Sequence, residues 1–555
     1  MPFDTLLRGP RPYFILILLA AALYLPGIAA LPVTDRDEAR FAQATRQMVE
    51  TGDYVNIRFQ DTPRQKKPAG IHWLQAAAVH AVAGGDTGEI WVYRLPSFLG
   101  ALGAVIALFA LARPVLGTEA AFIGAGILAS SLLLVIEAHI AKTDAALLLC
   151  TVLVQGAALQ IYARARAGKR VPPFLAWAFW AALGAGILIK GPVLPFIAAA
   201  TLGTLWYCDR RARLTAALRR GLRPVTGVIL CLAIAAPWFI AISIADGGFL
   251  EGAVTGDLLP KLMGGQESHG APPGTYLALI PVSFWPGALL IPFGLVWAWG
   301  NSGETGMRFC LAWLIPAWIV FELVPTKLAH YVLPLYPAAA LMAGQAVTDG
   351  QEWMTEALRR WPAWLWLAIW TVAGLALAFV IPVLLLFETD SLSAAAWIGA
   401  ALLVIILGVI AVVRGRPRAA LLMIAPTMAL FTGLAFAIVL PGAAQLWPSA
   451  QAGKLVAAHR AGPGTPIAVA GFREPSLVFN LGTNTKLTAP EAAAGLLKSR
   501  PGALALIEDG ASDKFKKALG QMGVVARALG SVQGLNLSKG RKVSLTLYRA
   551  EPANP

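Results

Sequence analysis

The sequence predicts a polytopic α-helical membrane protein of about thirteen transmembrane helices with a small C-terminal α/β domain. Three observations predict it. Hydrophobic residues make up 57% of the 555 positions and charged residues only 14%, giving a mean hydropathy of +0.66. Apolar runs long enough to cross a hydrocarbon core of roughly 30 Å recur along most of the chain. After Pro441 the composition becomes less apolar, and short β-rich runs alternate with helical ones.

The apolar runs fall at about 13–31, 93–112, 118–137, 143–163, 172–189, 191–208, 225–245, 275–299, 308–324, 331–347, 362–387, 394–413 and 419–440. Arg8 and Arg11 precede the first run, which is longer than a signal-peptide core and has no A-x-A-like site after it, so it reads as an anchor. The 45 Lys and Arg against 30 Asp and Glu give a net charge of +15. That surplus lies mostly in short loops, at Arg113, Arg164 to Arg170, Arg210 to Arg223, Arg359 to Arg360 and Arg414 to Arg418. Such placement marks a cytoplasmic face beside anionic lipid and argues against nucleic acid. A cytoplasmic amino terminus and an odd number of crossings then put the opposite set of loops in the periplasm of a bacterial inner membrane. This set comprises the first loop 32–92, the turn His139 to Asp144, Lys190, the loop Asp246 to Gly274, the turn Lys327 to Tyr331 and a domain over 441–555. The transmembrane domain is 1–440. Cys150, Cys208, Cys231 and Cys310 have no metal-clamp or disulfide spacing and read as small core residues.

The first loop concentrates acids, bases and aromatics between Asp35 and Trp73. Its segment DEARFAQATRQM reads as a helix capped by Asp35, with Phe41, Ala44 and Met48 on one face and Gly52 at its end. A second apolar stretch, Ala69 to Ala83, carries His72, Trp73 and His80, and the two helices are expected along the membrane surface. Beyond Pro441, PIAVAGF, GALALIED and KVSLTLYRA read as strands, PEAAAGLLKSR and ASDKFKKALGQMG as helices. Neither G-x-G-x-x-G nor a P-loop occurs there, so no nucleotide site is indicated.

Charge beside a membrane is costly, and its recurrence on one face calls for a functional reading beside the structural one. Asp37 and Glu38 are helix-start charges favoured by the macrodipole, or a general base and a substrate-orienting carboxylate. Arg64, Lys66 and Lys67, stiffened by Pro68, are a lipid-headgroup anchor or a set of partners for a departing phosphate. Asp144, beside Lys142, is one half of a structural pair or a second catalytic acid. Lys190 snorkels or joins the donor-phosphate set. Lys327, His330 and Tyr331 form a third outer cluster, with Tyr331 doubling as an interfacial aromatic. Glu267 and His269 leave a divalent metal open without assigning one, and no other cofactor is indicated.

Together DEARFAQATRQM, KKPAGIHWLQ, KTDAALLL, IKGP and TKLAHYVLPLYP, in this order and on this face, resemble the GT-C glycosyltransferases of the aminoarabinose transferase and protein O-mannosyltransferase group. The resemblance covers roughly the first 340 residues, and thirteen spans followed by a periplasmic α/β domain is the architecture of the aminoarabinose branch. It implies inverting transfer of one sugar from a polyprenyl phosphate, undecaprenyl phosphate in bacteria, to lipid A or another lipopolysaccharide component. By motif position Asp37 matches the first-loop catalytic carboxylate, Lys67 the lysine that meets the carrier phosphate, and Asp144 the second outer acid. Lys190, Lys327 and Tyr331 match positions near the donor phosphate or sugar. Two departures stand out: Lys66 where the aminoarabinose transferases place Glu, and His72 where they place Tyr. A base at Lys66 points away from an amino sugar and toward a neutral or uronic one. The same fold serves protein O-glycosylation, and a lipid or sugar flippase would share its many helices. A transporter, however, places its site near the bilayer midplane, whereas these charges gather at one boundary.

Overall fold

The computed structural model describes residues 6–64, 66–209, 212–260, 270–384, 391–415, 417–462 and 464–551. Glu267 and His269, the residues that left a metal open, lie outside them.

Small residues set the helix packing. Ile90–Leu116 and Asp144–Arg166 run against each other because a Cβ on Gly100 would come within 2.8 Å of the Ala145 carbonyl, and one on Gly156 within 2.6 Å of the Leu111 side chain. Lipid offers no hydrophobic drive between helices, so such close approach is what holds them together. Among the described residues, eight helices are long and apolar enough to cross a membrane, or nine if a bent pair counts as one crossing. Three shorter apolar helices, Arg11–Tyr24, Val193–Cys208 and Gly287–Gly300, accompany them.

Several expected spans are interrupted. The run at 118–137 is two helices, Thr118–Ala129 and Leu132–Ala138, bent by 63°. At the break Ser130 Oγ donates to Gly126 O at 3.0 Å and Ser131 Oγ to Leu128 O at 2.8 Å, side-chain bonds that compete with the helix ladder. The run at 275–299 divides into Thr275–Ser283, a 3-10 turn Gly287–Leu290 and Ile291–Gly300. Pro281, Pro286 and Pro292 each remove a ladder donor there. The run at 331–347 opens as a 3-10 segment, Ala329–Leu335, before Tyr336–Thr348. Cys150, Cys231 and Cys310 are buried as expected of core residues, but Cys208 is exposed.

The 23-residue helix Asp144–Arg166 is about 34 Å long at 1.5 Å per residue. At its Arg166 end, that guanidinium donates to Gly303 O at 3.0 Å, the Tyr162 hydroxyl donates to Asp209, and Arg308 meets Asp209 at 2.6 Å. At its other end stands Asp144, so the helix separates two polar regions by the thickness of a hydrocarbon core.

The first-loop helix is Asp37–Thr51, with Asp37 and Glu38 in its first turn and Gly52, at φ 72°, closing it. Asp35 does not cap it as expected: its carboxylate accepts from the Ser476 hydroxyl instead. The N-cap is Arg36, a non-glycine residue at φ 61°, a left-handed conformation that costs about 1–3 kcal/mol. Arg36 is held there by its guanidinium, which donates to Ser538 O at 3.0 Å. The second loop helix, Gly70–Ala83, lies against the end of Pro173–Lys190, where a Cβ on Gly70 would come 2.6 Å from Leu188 O.

Residues 467–550 contain a five-stranded sheet. Its strands are β1 (Ile467–Ala470), β2 (Lys486–Thr488), β3 (Leu504–Glu508), β4 (Ala526–Asn536) and β5 (Arg541–Ala550), in spatial order β2-β1-β3-β5-β4. β1 pairs parallel with β2 and β3, while β5 is antiparallel to both β3 and β4. Separate apolar cores cover its two faces, one around Val469, Leu506 and Leu545, the other around Ile507 and Phe515. β2, β4 and the helices Pro448–His459 and Pro475–Leu481 had no clear sequence signal. The unit seats on the first-loop helix: Gln43 Nε2 donates to Thr483 Oγ1 at 2.8 Å and an Arg46 nitrogen to Phe479 O at 3.1 Å.

Candidate functional site

The antiparallel helices Asp144–Arg166 and Pro173–Lys190 bring an acid and a base to one level, and each favours its own helix end. A carboxylate in a first turn meets the positive end of the helix dipole, and an ammonium in a last turn meets the negative end. Lys190 Nζ donates to Asp144 Oδ1 at 2.5 Å, with both side chains buried. Lys142, in the turn that enters the first of these helices, lies 2.9 Å from Glu137 and 3.7 Å from Asp144. Its ammonium also donates to His330 Nδ1 at 3.2 Å. Lys190 Nζ is 5.2 Å from the centre of the Tyr331 ring, and the His330 and Tyr331 rings meet edge to face at 5.1 Å. Three stretches distant in sequence, 137–144, Lys190 and 330–331, thus converge on one buried charged cluster.

Both motifs of the first loop reach it electrostatically. Burial works against the charge on Lys142, but Glu137 and Asp144 outweigh it and hold the ammonium above the ordinary lysine range, with Asp37 adding to the pull. The charges of Asp144, Lys142, Lys190 and Lys67 all act on the His330 imidazole. The negative charge of Asp37 and the positive charge of Lys67 therefore act on neighbouring members of the same cluster. Asp37 itself is exposed and Lys67 half-buried, so both are accessible where the cluster is not. Lys66 is exposed beside them.

Other predicted residues are held by partners of their own. Glu38 was expected to touch substrate, but it is fully buried and both its oxygens are engaged. Oε1 accepts from Arg94 Nε at 2.8 Å and the Ala141 amide at 2.9 Å, and Oε2 accepts from a second Arg94 nitrogen at 3.0 Å and the Thr34 amide at 2.8 Å. Its role is to tie the loop to the Ile90–Leu116 helix and to the turn that carries Lys142. His72 is also buried, with Nδ1 2.8 Å from the Thr45 hydroxyl, which in turn donates to Gln75 Oε1 at 2.7 Å. It joins the two loop helices. Arg64 stacks over Phe41 at 4.5 Å. Lys327 donates to Val324 O at 2.6 Å and stands 5.9 Å from the Tyr276 ring.

His72 makes a prediction of its own. Burial first, and then the Arg64 charge, push its imidazole down to about 3, against about 6.5 in an unfolded chain. Between those values the unfolded state binds the extra proton. The contribution to stability is therefore full above about pH 6.5 and declines as pH falls toward 3. His72→Gln should flatten the decline of Tm between about pH 6.5 and 5. Parallel Tm profiles for the two proteins would show that His72 is not the titrating group.

Glu137 and Arg94 escaped the sequence reading. Glu137 closes an apolar run and was absorbed into a span. The available signal was a lone acid in LLLVIEAHIAKTD, costly at that depth unless partnered. Arg94 likewise lies inside the apolar run at 93–112 and was absorbed into that span.

A family model described as dolichyl-phosphate-mannose-protein mannosyltransferase matches residues 66–240. The undecaprenyl phosphate-alpha-4-amino-4-deoxy-L-arabinose arabinosyl transferase 1 of Pseudomonas fluorescens is 26% identical over 340 residues, 60% of this chain and 59% of that protein. The corresponding transferase of Aeromonas hydrophila is 27% identical over 358 residues, 63% of this chain and 62% of that protein. The match thus spans about three fifths of the curated relatives. The crystal structure of ArnT from Cupriavidus metallidurans bound to undecaprenyl phosphate superposes with a TM-score of 0.72 at 19% identity, covering 97% of this chain and 98% of that one. An oligosaccharyltransferase of Archaeoglobus fulgidus, tethered with an acceptor peptide, gives a TM-score of 0.52 at 11% identity, covering 99% and 75%. The chain therefore shares the fold of that ArnT and resembles the undecaprenyl phosphate-aminoarabinose arabinosyl transferases in sequence.

Proposed function

We propose that this protein is an inverting glycosyltransferase that moves a single sugar from undecaprenyl phosphate to lipid A or another lipopolysaccharide component. The observation that carries this reading is the buried cluster of Lys142, Asp144, Lys190 and His330, on whose charges Asp37 and Lys67 act. Names of the sequence relatives support the carrier and the reaction class.

An acceptor oxygen attacks the anomeric carbon on the face opposite the carrier. The bond from that carbon to the phosphate oxygen breaks, and its electron pair leaves with the phosphate. Lys67 meets the growing negative charge, with Arg64, Lys190 and Lys327 as further cations of the donor region. Asp37 accepts the proton of an acceptor hydroxyl, or orients an acceptor phosphate that is already ionised. Asp144 holds Lys190 in place, and Tyr331 packs beside that ammonium where a sugar would lie. Lys66, exposed at the loop surface, favours a neutral or uronic sugar.

The architecture extends the reading. The three shorter apolar helices and the Ala329–Thr348 pair bring the crossings to about thirteen, forming a transmembrane domain over 1–440. The amino terminus is cytoplasmic. The first loop and the domain over 441–555 are periplasmic at the bacterial inner membrane.

The test uses full-length protein purified in detergent, supplied with undecaprenyl-phosphate sugars and lipid A, with products read by mass spectrometry. Sugar transfer with no membrane to cross is expected. Carrier movement across vesicles without transfer would favour a transporter, and glycosylated protein in place of modified lipid A would shift the acceptor. Lys67→Ala is expected to weaken carrier binding by roughly 1.5–3 kcal/mol, the range for a charge-assisted bond. Unchanged saturation with carrier would remove Lys67 from the phosphate site.

A further inference from the structure

Glu137, Asp144 and His330 each offer a ligand atom, and these atoms lie within 4.8 Å of one another. Two carboxylates and an imidazole form a donor set suited to a divalent ion such as zinc or manganese. Inside this set, however, sits an ammonium. Lys142 Nζ is 2.9 Å from Glu137 Oε1, 3.7 Å from Asp144 Oδ2 and 3.2 Å from His330 Nδ1. It therefore contacts one donor atom from each member of the cage, and Lys142 is only 8% exposed.

We propose that Lys142 is a built-in counter-cation, holding the position within Glu137, Asp144 and His330 that a divalent metal ion would otherwise take. Charge supports the assignment. The two carboxylates face two ammonium groups, Lys142 and Lys190, so the cluster is balanced as it stands. A divalent ion entering beside both lysines would meet repulsion from each. The hydrogen bond into His330 Nδ1 requires a lone pair on that nitrogen, which places the neutral imidazole's acceptor toward the ammonium. Glu137 Oε2 is buried without a hydrogen-bond partner, so the cage keeps ligand capacity that one ammonium, with three donors, does not exhaust. Removing the ammonium would leave two buried acids and an imidazole with one compensating cation, a state that binding of a metal relieves.

Lys142 is on this account a positioning residue: it fixes Asp144, and through Asp144 the Lys190 ammonium. This role within the cage holds or fails independently of the sugar-transfer reading.

The experiment compares untagged full-length wild type, Lys142→Met and Lys142→Gln. Each is incubated with zinc or manganese, desalted, and assayed for bound metal and for Tm. Wild type is expected to hold no more metal than Glu137→Gln. The Lys142 variants are expected to lose thermal stability, to regain it with metal, and to retain one ion per chain. That ion should be lost when His330→Ala is added. A wild-type ion that Glu137→Gln removes would overturn the proposal, as would Lys142 variants that gain no cage-dependent ion. Failure to recover either Lys142 variant folded, even from metal-supplemented cells, would also overturn it. These readouts need no sugar donor, so metal retention and Tm test the cage even in a protein inactive in transfer assays.

Discussion

Asp37→Asn is expected to leave the protein folded and inserted while lowering sugar transfer by about 10²–10⁴-fold, the range associated with a positioned general base. Asparagine keeps the size and hydrogen-bonding capacity of the residue but removes its charge. The site tolerates the change structurally because Asp37 is exposed at the first position of its helix. Its neighbour Glu38 provides the contrast: one residue along, the carboxylate is sealed against Arg94 and serves the fold. Activity should therefore respond to Asp37 with Tm nearly unchanged. Near-normal product formation by purified Asp37→Asn would take this residue out of the mechanism.

Arg94→Ala is expected to have the largest effect on stability. Arg94 is fully buried and donates to both oxygens of Glu38 and to the carbonyls of Ile28, Leu31 and Pro32. Its loss strands a buried carboxylate together with three carbonyls, and breaking one half of such a pair costs about 3–5 kcal/mol. Thermal unfolding in detergent would read this directly, and a cycle with Glu38→Gln would isolate the pair. A drop in Tm no larger than that of an exposed arginine substitution would sink the claim.

The pair also has a pH signature. Burial alone would raise the pKa of Glu38, but Arg94 and the amides of Thr34 and Ala141 outweigh it and hold the carboxyl below its usual value. The stabilisation is therefore complete above about pH 4.3, the unfolded value, and is lost as pH falls through the lower folded value. That window lies below the one in which His72 acts first, so the two can be separated.

What the sequence made legible was periodicity and charge. The first-loop helix, the Lys-Pro turn and the strands β1, β3 and β5 all follow from patterns local to a few residues. What it hid was partnership. Asp37 and Glu38 look alike in the sequence, and only the distant Arg94 separates a sealed acid from an open one. Lys142 and Lys190 both read as boundary lysines, yet they share Asp144 because two helices run antiparallel. Proline and serine breaks turned several expected straight crossings into bent or two-part ones. An averaged apolar window cannot register a side-chain hydroxyl that bonds back to its own helix.

The grip of Ser538 on Arg36 joins positions 502 residues apart. Ser538 lies between β4 and β5, in the last hairpin of the described chain. During synthesis the membrane helices would emerge and insert long before that hairpin exists, leaving the start of the acidic helix without its anchor. The start of the acidic helix would then settle only once that hairpin has formed, and a chain released before it would sit in the bilayer with its first loop unheld at that point.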